Sequence, residues 1–343
     1  LVDRLRAKTS LYLATIGMTV FSVLLAVFST SFVFTIFSWG MFGICTSMIY
    51  WPAFSKILNI IGRKTGKNGS SGTVFGIYYM FNGISAAIIN GIALYVSTFF
   101  EGKASFDAAI YVGAAFTFVA AILVFALFDE ELATAEDAPS SADKAAQKAA
   151  NKLTGSEIAG LLKNPRLYAA CVLVVSGIVM YNSMTYFTPF LTAVVGISPT
   201  TSGVYGIMRQ YVFLAFAPIG GVIADRVFKS ASKWLMVGYA MIAVLVLGIL
   251  VIPDTASASF IGFYTLLPAA VNQLTYTLRL SAVGELSMPS RQLGTVTGMT
   301  ATCGSIASLT INPLLGRWID VYGNAGYYRI FILVGCLLIA GSL

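Results

Sequence analysis

The chain has 343 residues, of which 57% are hydrophobic and 10% are charged, and its mean hydropathy is +0.83. A water-soluble domain needs about a quarter of its residues charged, so this composition excludes a soluble fold. Continuous apolar runs of about 20 residues recur along the chain, which is the length of a membrane-spanning helix and far longer than a barrel strand. The sequence therefore predicts an all-α, polytopic membrane protein.

Residue usage also limits the chemistry. The sequence has no histidine, and its four cysteines lie inside apolar runs, where they resemble small buried hydrophobic residues. The apolar runs carry no cluster of Asp, His or Cys at catalytic spacing, and no phosphate-binding loop of the G-x-x-x-x-G-K-[ST] type occurs. We therefore expect a protein that is not an enzyme, has no cofactor or metal and does not use ATP directly.

Ten membrane spans are predicted, at about 10–29, 32–55, 72–97, 108–128, 167–190, 202–224, 234–252, 258–280, 294–315 and 326–343. All but four of the 21 lysines and arginines fall in the connections on one side of the predicted bilayer. The exceptions are Lys103, Arg209, Arg317 and Arg329. By the positive-inside rule, residue 1 and the long connection 129–165 are predicted to be cytoplasmic, so the net charge of +7 reflects topology rather than nucleic-acid binding.

An internal repeat divides the chain into two halves. Asp3-Arg4 recurs as Asp225-Arg226, and Gly72-Thr-Val-Phe-Gly76 recurs at the same offset as Gly294-Thr-Val-Thr-Gly298. The predicted domains are an N-terminal bundle at 1–128, a cytoplasmic linker at 129–165 and a C-terminal six-helix bundle at 166–343. Two spans precede the second copy of the Asp-Arg pair and none precedes the first. We therefore expect a design of six plus six helices whose first two helices precede Leu1 and whose last helix is slightly truncated.

One loop carries a family motif. Gly221-Val-Ile-Ala-Asp225-Arg226-Val-Phe-Lys229 resembles the G-x-x-x-D-R-x-G-R loop of the major facilitator superfamily, and Leu1-Val2-Asp3-Arg4 resembles the end of its first copy. Tyr50-Trp51-Pro52-Ala53 is similar to the bacterial, sugar-phosphate-permease-like branch. Phe228 and Arg6 stand where the family has its second glycine, which weakens the expectation of a tight turn. The resemblance implies a bacterial inner-membrane transporter in which two bundles alternate around a site at mid-membrane.

The resemblance also implies a cytoplasmic gate at this motif. The candidate gate residues are Gly221, Asp225, Arg226, Asp3 and Arg4. A carboxylate and a guanidinium at a helix end can form charge-assisted bonds that close the cytoplasmic side. Gly221 is expected to permit close approach of a neighbouring helix. The alternative is a loop that only sets topology.

Arg209 is the main candidate for substrate binding. It lies about 24 Å of helix from Asp225 and about 12 Å from the outer start of its span. An arginine at this depth is expected to face a water-filled cavity or a partner, and its fork of donors fits a carboxylate or a phosphate. The alternatives are snorkelling to the outer interface and a structural pair with helices that precede Leu1.

Other polar groups occur at a comparable depth. They are Tyr181, Asn182 and Tyr186 in one span, and Asn272, Gln273 and Tyr276 in another. In the family these spans line the cavity, so the six side chains are candidate substrate contacts; for each, the alternative is a helix–helix hydrogen bond.

The expected function is transmembrane transport of a small polar organic anion, by exchange or by uniport. No acidic residue falls in the middle of a predicted span, which disfavours proton coupling. The alternative is a proton-coupled carrier of a neutral or cationic solute, with its carboxylate in helices that precede Leu1. The expected partners are the small-molecule substrate and the lipid bilayer, with no nucleic acid, and the protein is expected to be a monomer.

Overall fold

The structure is a computed structural model, and it describes residues 7–51, 53–54, 57, 71–128, 155–253, 255–285 and 290–343. The described residues form helices and turns, with no strand among them. The chain divides into two compact units, Leu1–Phe81 with Ser85–Ser140 and Asn82–Ile84 with Ser141–Leu343. The first part of the expected linker, 129–154, lies outside the described residues.

Four helical segments with defined bounds are described in the first part of the chain, which forms most of the first unit. They are α1 (Ala7–Val27), α2 (Phe32–Gly43, continued by a π-helical turn at Ile44–Tyr50), α3 (Ser71–Ser97) and α4 (Gly102–Leu127). The hydroxyl of Thr19 in α1 donates to that of Thr117 in α4 at 2.9 Å. The helix α4 begins six residues before the predicted start of its span, because its first turn is polar and carries the Lys103–Asp107 ion pair at 2.7 Å.

The second unit contains the remaining segments. They are α5 (Gly155–Leu162), α6 (Pro165–Ala193), α7 (Pro199–Phe228), α8 (Ala231–Val251), α9 (Ala258–Tyr264), α10 (Leu266–Tyr276), α11 (Arg279–Gly284), α12 (Ser290–Tyr322) and α13 (Asn324–Ser342). The core between α6, α8 and α13 is apolar, with Met180, Leu235, Ile242 and Leu338 fully buried. Burial of such side chains stabilises each helix in the bundle by dispersion contacts.

Eight stretches of the described chain are long and apolar enough to cross a membrane. Two other segments also match predicted spans. One is divided into α9, α10 and α11, and the other is α12, which is rich in glycine, serine and threonine. The prediction of an all-α polytopic membrane protein is therefore confirmed.

Two prolines account for the main interruptions. A proline has no N–H and its ring clashes with the carbonyl four residues earlier, so it breaks the regular helix at that point. Pro218 follows the 3₁₀ turn Phe213–Phe216 within α7. Pro268 follows the break at Thr265, between α9 and α10. The consequence is irregular backbone in the two segments that carry Arg209 and Gln273.

The motif loop between α7 and α8 forms a tight turn despite the missing family glycine. Lys229 takes up the left-handed conformation, with φ of 53°, and Phe228 packs on Trp234 with ring centroids 5.3 Å apart. The expectation that Phe228 weakens the turn is therefore wrong, because the residue with positive φ is the next one along the chain.

The close helix contact near this motif lies at Gly220, not at Gly221. A Cβ at Gly220 would overlap the backbone of Leu274 in α10, whereas a Cβ at Gly221 would meet no described atom within 4 Å. One residue of helix is a rotation of about 100°, so the neighbouring glycine faces away from the contact. Among the described residues, the close approach expected at Gly221 is therefore made at Gly220 instead.

Glu285 caps the N-terminus of α8 with hydrogen bonds. Its carboxylate accepts hydrogen bonds from the Ser230 hydroxyl at 2.6 Å and from the backbone N–H groups of Ala231 and Ser232 at 2.5 Å and 3.0 Å. Partial burial alone would raise the pKa of this carboxyl, but these bonds outweigh it and lower the pKa from 4.5 to about 2. The carboxylate also lies at the positive end of the helix dipole.

We predict that Glu285→Gln lowers the free energy of unfolding by about 1 kcal/mol, the usual value of a helix cap. Because the folded-state pKa is depressed, this contribution is complete above pH 4.5 and is lost as the pH falls towards 2. Thermal unfolding in detergent should show a difference between the two proteins at pH 7 that shrinks below pH 4.5. A difference that stays constant across this range would contradict the role of the carboxylate charge.

We predict that Gly220→Ala destabilises the protein strongly, because the added Cβ must separate α7 from α10 at Leu274. Gly221→Ala is the matched control and should be neutral or slightly stabilising, because alanine favours a helix by about 1 kcal/mol over glycine. Melting temperatures of the purified variants measure both effects. Equal melting temperatures would show that the close contact is absent.

Candidate substrate-binding site around Arg209

Arg209 is held inside the second unit by neutral groups. It lies in the π-helical turn Met208–Val212 of α7, and its side chain is 1% exposed. Its Nη1 donates to the hydroxyl of Thr265 at 2.8 Å, and its Nη2 donates to the hydroxyl of Thr188 at 2.7 Å. The guanidinium carbon lies 5.8 Å from the centre of the Phe187 ring.

Among the described residues, no carboxylate forms an ion pair with this guanidinium. An ion pair does occur in the first unit, between Lys103 and Asp107. Of the five N–H groups of Arg209, two hydrogen bond to the threonines, and the buried Nε has no partner among the described residues. The described partners of this buried guanidinium are thus the dipoles of two hydroxyl groups.

The burial of Arg209 bears on the expectations for it. The side chain is buried rather than directed to the outer interface, and of the expected cavity or partner it has the partner in this conformation. The physical reason is that two threonine hydroxyls and an aromatic ring replace water around the guanidinium. Its partners are neutral, which the sequence did not indicate.

Gln273 joins the same site from α10. Its Nε2 donates to the backbone carbonyls of Arg209 and Gln210, at 3.2 Å and 3.0 Å. These carbonyls lie in the irregular part of α7, so the amide satisfies acceptors that a regular helix would bond internally. Because Nε2 must face the carbonyls, Oε1 points elsewhere; it is buried and has no partner among the described residues.

The other candidates fall into two groups. Tyr181 and Tyr276 form an aromatic pair, with ring centroids 4.3 Å apart. Asn182 and Tyr186 instead bond to α12, through the Ser308 hydroxyl at 2.9 Å and the Asn312 carbonyl at 3.0 Å. Asn272 donates to the sulfur of Met184 at 3.8 Å. Asn182, Tyr186 and Asn272 therefore make helix–helix contacts in this conformation.

The gate candidates are only partly described. Asp225 and Arg226 are exposed at the end of α7, and neither forms an ion pair with another described residue. Asp3 and Arg4 lie outside the described residues. The gating role of this loop stays a prediction.

Sequence reasoning missed the residues that hold the guanidinium. Thr188 and Thr265 are single threonines in apolar runs, where a hydroxyl usually bonds to its own helix, so no local signal distinguishes them. Phe187 is one of 24 phenylalanines. Arg279, which was counted among the cytoplasmic charges, begins α11 and stacks on Tyr276 at 4.0 Å.

Long apolar helices in two units, with polar side chains buried inside the second, define a polytopic helical membrane protein. The sequence profile of the Major Facilitator Superfamily matches residues 1–311. The chain therefore belongs to the Major Facilitator Superfamily and is a membrane transporter, as the loop motif indicated.

Two curated relatives are similar in sequence. The chain is 25% identical to inner membrane protein YihN of Escherichia coli K12 over 313 residues, which are 90% of this chain and 71% of that protein. It is 27% identical to inner membrane protein YqcE of the same organism over 171 residues, which are 48% of this chain and 40% of that protein. Both relatives are inner-membrane proteins, in agreement with the predicted location.

Solved structures share the fold. A bacterial homologue of the human lysosomal transporter Spinster, inward-facing and unoccupied, superposes with a TM-score of 0.64 at 12% identity, over 99% of this chain and 84% of that one. A POT family transporter in complex with a thioalcohol-conjugated peptide superposes with a TM-score of 0.63 at 15% identity. The match covers 99% of this chain and 81% of that one. At these identities the likeness establishes the fold alone.

We predict that Thr265→Val destabilises the protein by about 1.5–3 kcal/mol, because it removes a hydrogen bond to a buried charged group. Thr265→Ser is the matched control: it keeps the hydroxyl that accepts from Arg209 and should unfold close to the native temperature. Thermal unfolding in detergent measures the difference. Equal effects of valine and serine would show that the hydroxyl does not hold the guanidinium.

Proposed function

We propose that this transporter carries a small polar organic anion across the membrane by alternating access, through exchange or facilitated diffusion. The observation that supports the proposal most strongly is the buried guanidinium of Arg209, whose hydrogen-bond partners are the neutral threonines Thr188 and Thr265. An uncompensated charge inside a membrane protein is costly and usually marks a substrate or ion pathway. A solute anion would supply the missing charge.

The donor geometry suits an oxyanion. Arg209 has a planar fork that can bind two oxygens of one carboxylate or phosphate, and charge-assisted bonds of this kind are about twice as strong as neutral ones. Its Nε is already without a partner among the described residues, and the threonine hydroxyls are neutral groups that an anion can displace. The arginine can therefore exchange weak partners for a strong one.

The neighbouring side chains suit hydroxyl groups on the same solute. The Oε1 of Gln273 is a buried acceptor without a described partner, so it can accept a hydrogen bond from a solute hydroxyl. Tyr181 and Tyr276 provide an aromatic surface with phenol groups beside it. Hydroxy acids and sugar phosphates combine these features, and neutral sugars lack the charge that Arg209 needs.

The alternative is a proton-coupled carrier of a neutral or cationic solute. Its carboxylate would have to come from outside the described residues. Within the described part of the chain, the acidic side chains lie near helix ends or in connections. They are Glu101, Asp107, Glu157, Asp225, Glu285 and Asp320. The described chain therefore favours the anion.

Solute counterflow in proteoliposomes tests the proposal, with sugar phosphates, inorganic phosphate, small carboxylates and uncharged sugars as the panel. We expect exchange of an anion without an imposed proton gradient, and we expect Arg209→Gln to abolish it. Arg209→Lys keeps the charge but loses the fork, so we expect at least a tenfold loss, because one charge-assisted bond contributes about 1.5–3 kcal/mol.

Arg317→Gln is the control, because it makes the same charge change at an exposed position. It should exchange the anion at the native rate. Uptake of a neutral solute that is driven by the proton gradient and is unaffected by Arg209→Gln would overturn the proposal in favour of the proton-coupled alternative.

A further inference from the structure

A second arginine of the second unit carries an unused buried donor. Arg279 is the first residue of α11. It lies about 21 Å from Thr265 along the helical segment, towards the cytoplasmic end. Its Nε donates to the backbone carbonyl of Tyr276 at 2.9 Å, and its Cζ lies 4.0 Å from the centre of the Tyr276 ring. These two contacts fix the plane of the guanidinium. Its Nη1 atom is buried, and nothing in the described chain accepts a hydrogen bond from it.

A buried phenol lies beside this arginine. Tyr239 of α8 is 0% exposed, and its hydroxyl has no hydrogen-bond partner among the described residues. The two side chains meet at Gly177 of α6: a Cβ there would lie 2.6 Å from the Cδ of Arg279 and closer still to the hydroxyl of Tyr239. Only glycine leaves room for both. Three segments of the chain therefore meet at this glycine, and two of them contribute a side chain that carries an unpartnered buried polar atom.

Unpartnered buried donors are rare in folded proteins, because each loses the hydrogen bonds that water would provide. Here two such groups occur together, from different helices, and they do not bond to each other. A guanidinium can only donate, and a phenol can also donate. The atom that satisfies both is an acceptor, and next to a positive charge an anionic oxygen is the strongest one.

We propose that Arg279 Nη1 and Tyr239 Oη bind an oxyanion group, a carboxylate or a phosphate, of the transported solute on the cytoplasmic side of Arg209. This second anion site rests on the proposed transport of an anion. Arg279 as a whole is only partly buried, whereas its Nη1 atom and the whole of Tyr239 are buried in this conformation. The ring of Tyr276, which stacks on both Arg279 and Tyr181, connects it to the Arg209 region.

Tyr239→Phe is the most informative variant, because it removes one hydroxyl and keeps the packing. The full-length protein, purified in a maltoside detergent without phospholipid, is titrated with inorganic phosphate while its melting temperature is recorded. We expect the variant without phosphate to melt no lower than the native protein, because an unsatisfied hydroxyl is gone. We expect its apparent dissociation constant for phosphate to rise about tenfold, the effect of losing one bond to a charged group. Tyr111→Phe, at an exposed tyrosine of the first unit, is the control.

If phosphate stabilises Tyr239→Phe with the same apparent dissociation constant as the native protein, the second anion site is overturned. The Tyr239 hydroxyl then has no anion partner. The site is also overturned if phosphate does not raise the melting temperature of the native protein. A response that appears only when phosphatidylglycerol is added would assign the site to a lipid headgroup and overturn the solute site.

The two proposals fail in different ways. If anion transport is wrong but the second site is right, phosphate stabilises Arg209→Gln normally and does not stabilise Arg279→Gln. If the second site is wrong but anion transport is right, Arg279→Gln responds normally and Arg209→Gln does not. In transport assays, a correct second site predicts that Tyr239→Phe raises the KM about tenfold in inverted vesicles and much less in right-side-out vesicles.

Discussion

The burial of one guanidinium constrains the second unit more than any other interaction. Arg209 is 1% exposed, and its partners among the described residues are two hydroxyls and an aromatic ring rather than a carboxylate. A charge in this position is expensive unless its partners are held rigidly, so α6, α7 and the α9–α10 break must keep their places around it. No carboxylate among the described residues compensates the charge, which is the arrangement that the proposed anion carrier needs. In that proposal, stability and anion binding depend on the same few atoms.

Interrupted helices make this arrangement possible. Pro218 and Pro268 break α7 and separate α9 from α10, and irregular backbone inside a membrane protein is tolerated only where other groups satisfy it. The Gln273 amide donates hydrogen bonds to two backbone carbonyls of α7, and the Arg279 guanidinium donates one to the carbonyl of Tyr276. Polar side chains of the candidate site thus bond to backbone and leave part of their capacity unused. That unused capacity is the basis of both binding proposals.

The large features of the fold could be predicted because they depend on solvent and length alone. The apolar runs predicted the membrane spans, and the loop motif indicated the family. The depth of Arg209 in its span indicated a buried cation. What could not be predicted depends on contacts between distant segments. Thr188 and Thr265 look like any threonines, Gly220 and Gly221 differ only by a helical rotation, and Arg279 looked like a topology charge. Asn182 and Tyr186 had the right depth, but the face of α6 on which they lie packs on α12.

The central claim, that Arg209 binds an anion, is tested most directly by matched solute pairs. The melting temperature of the purified protein is measured with a sugar and with the same sugar phosphorylated, for native protein and Arg209→Gln. Because a ligand at 100 times its dissociation constant stabilises by about 2.7 kcal/mol, binding gives a clear shift. We expect the phosphorylated or carboxylated member of at least one pair to stabilise the native protein only. Stabilisation by a neutral sugar that persists in Arg209→Gln would contradict the claim.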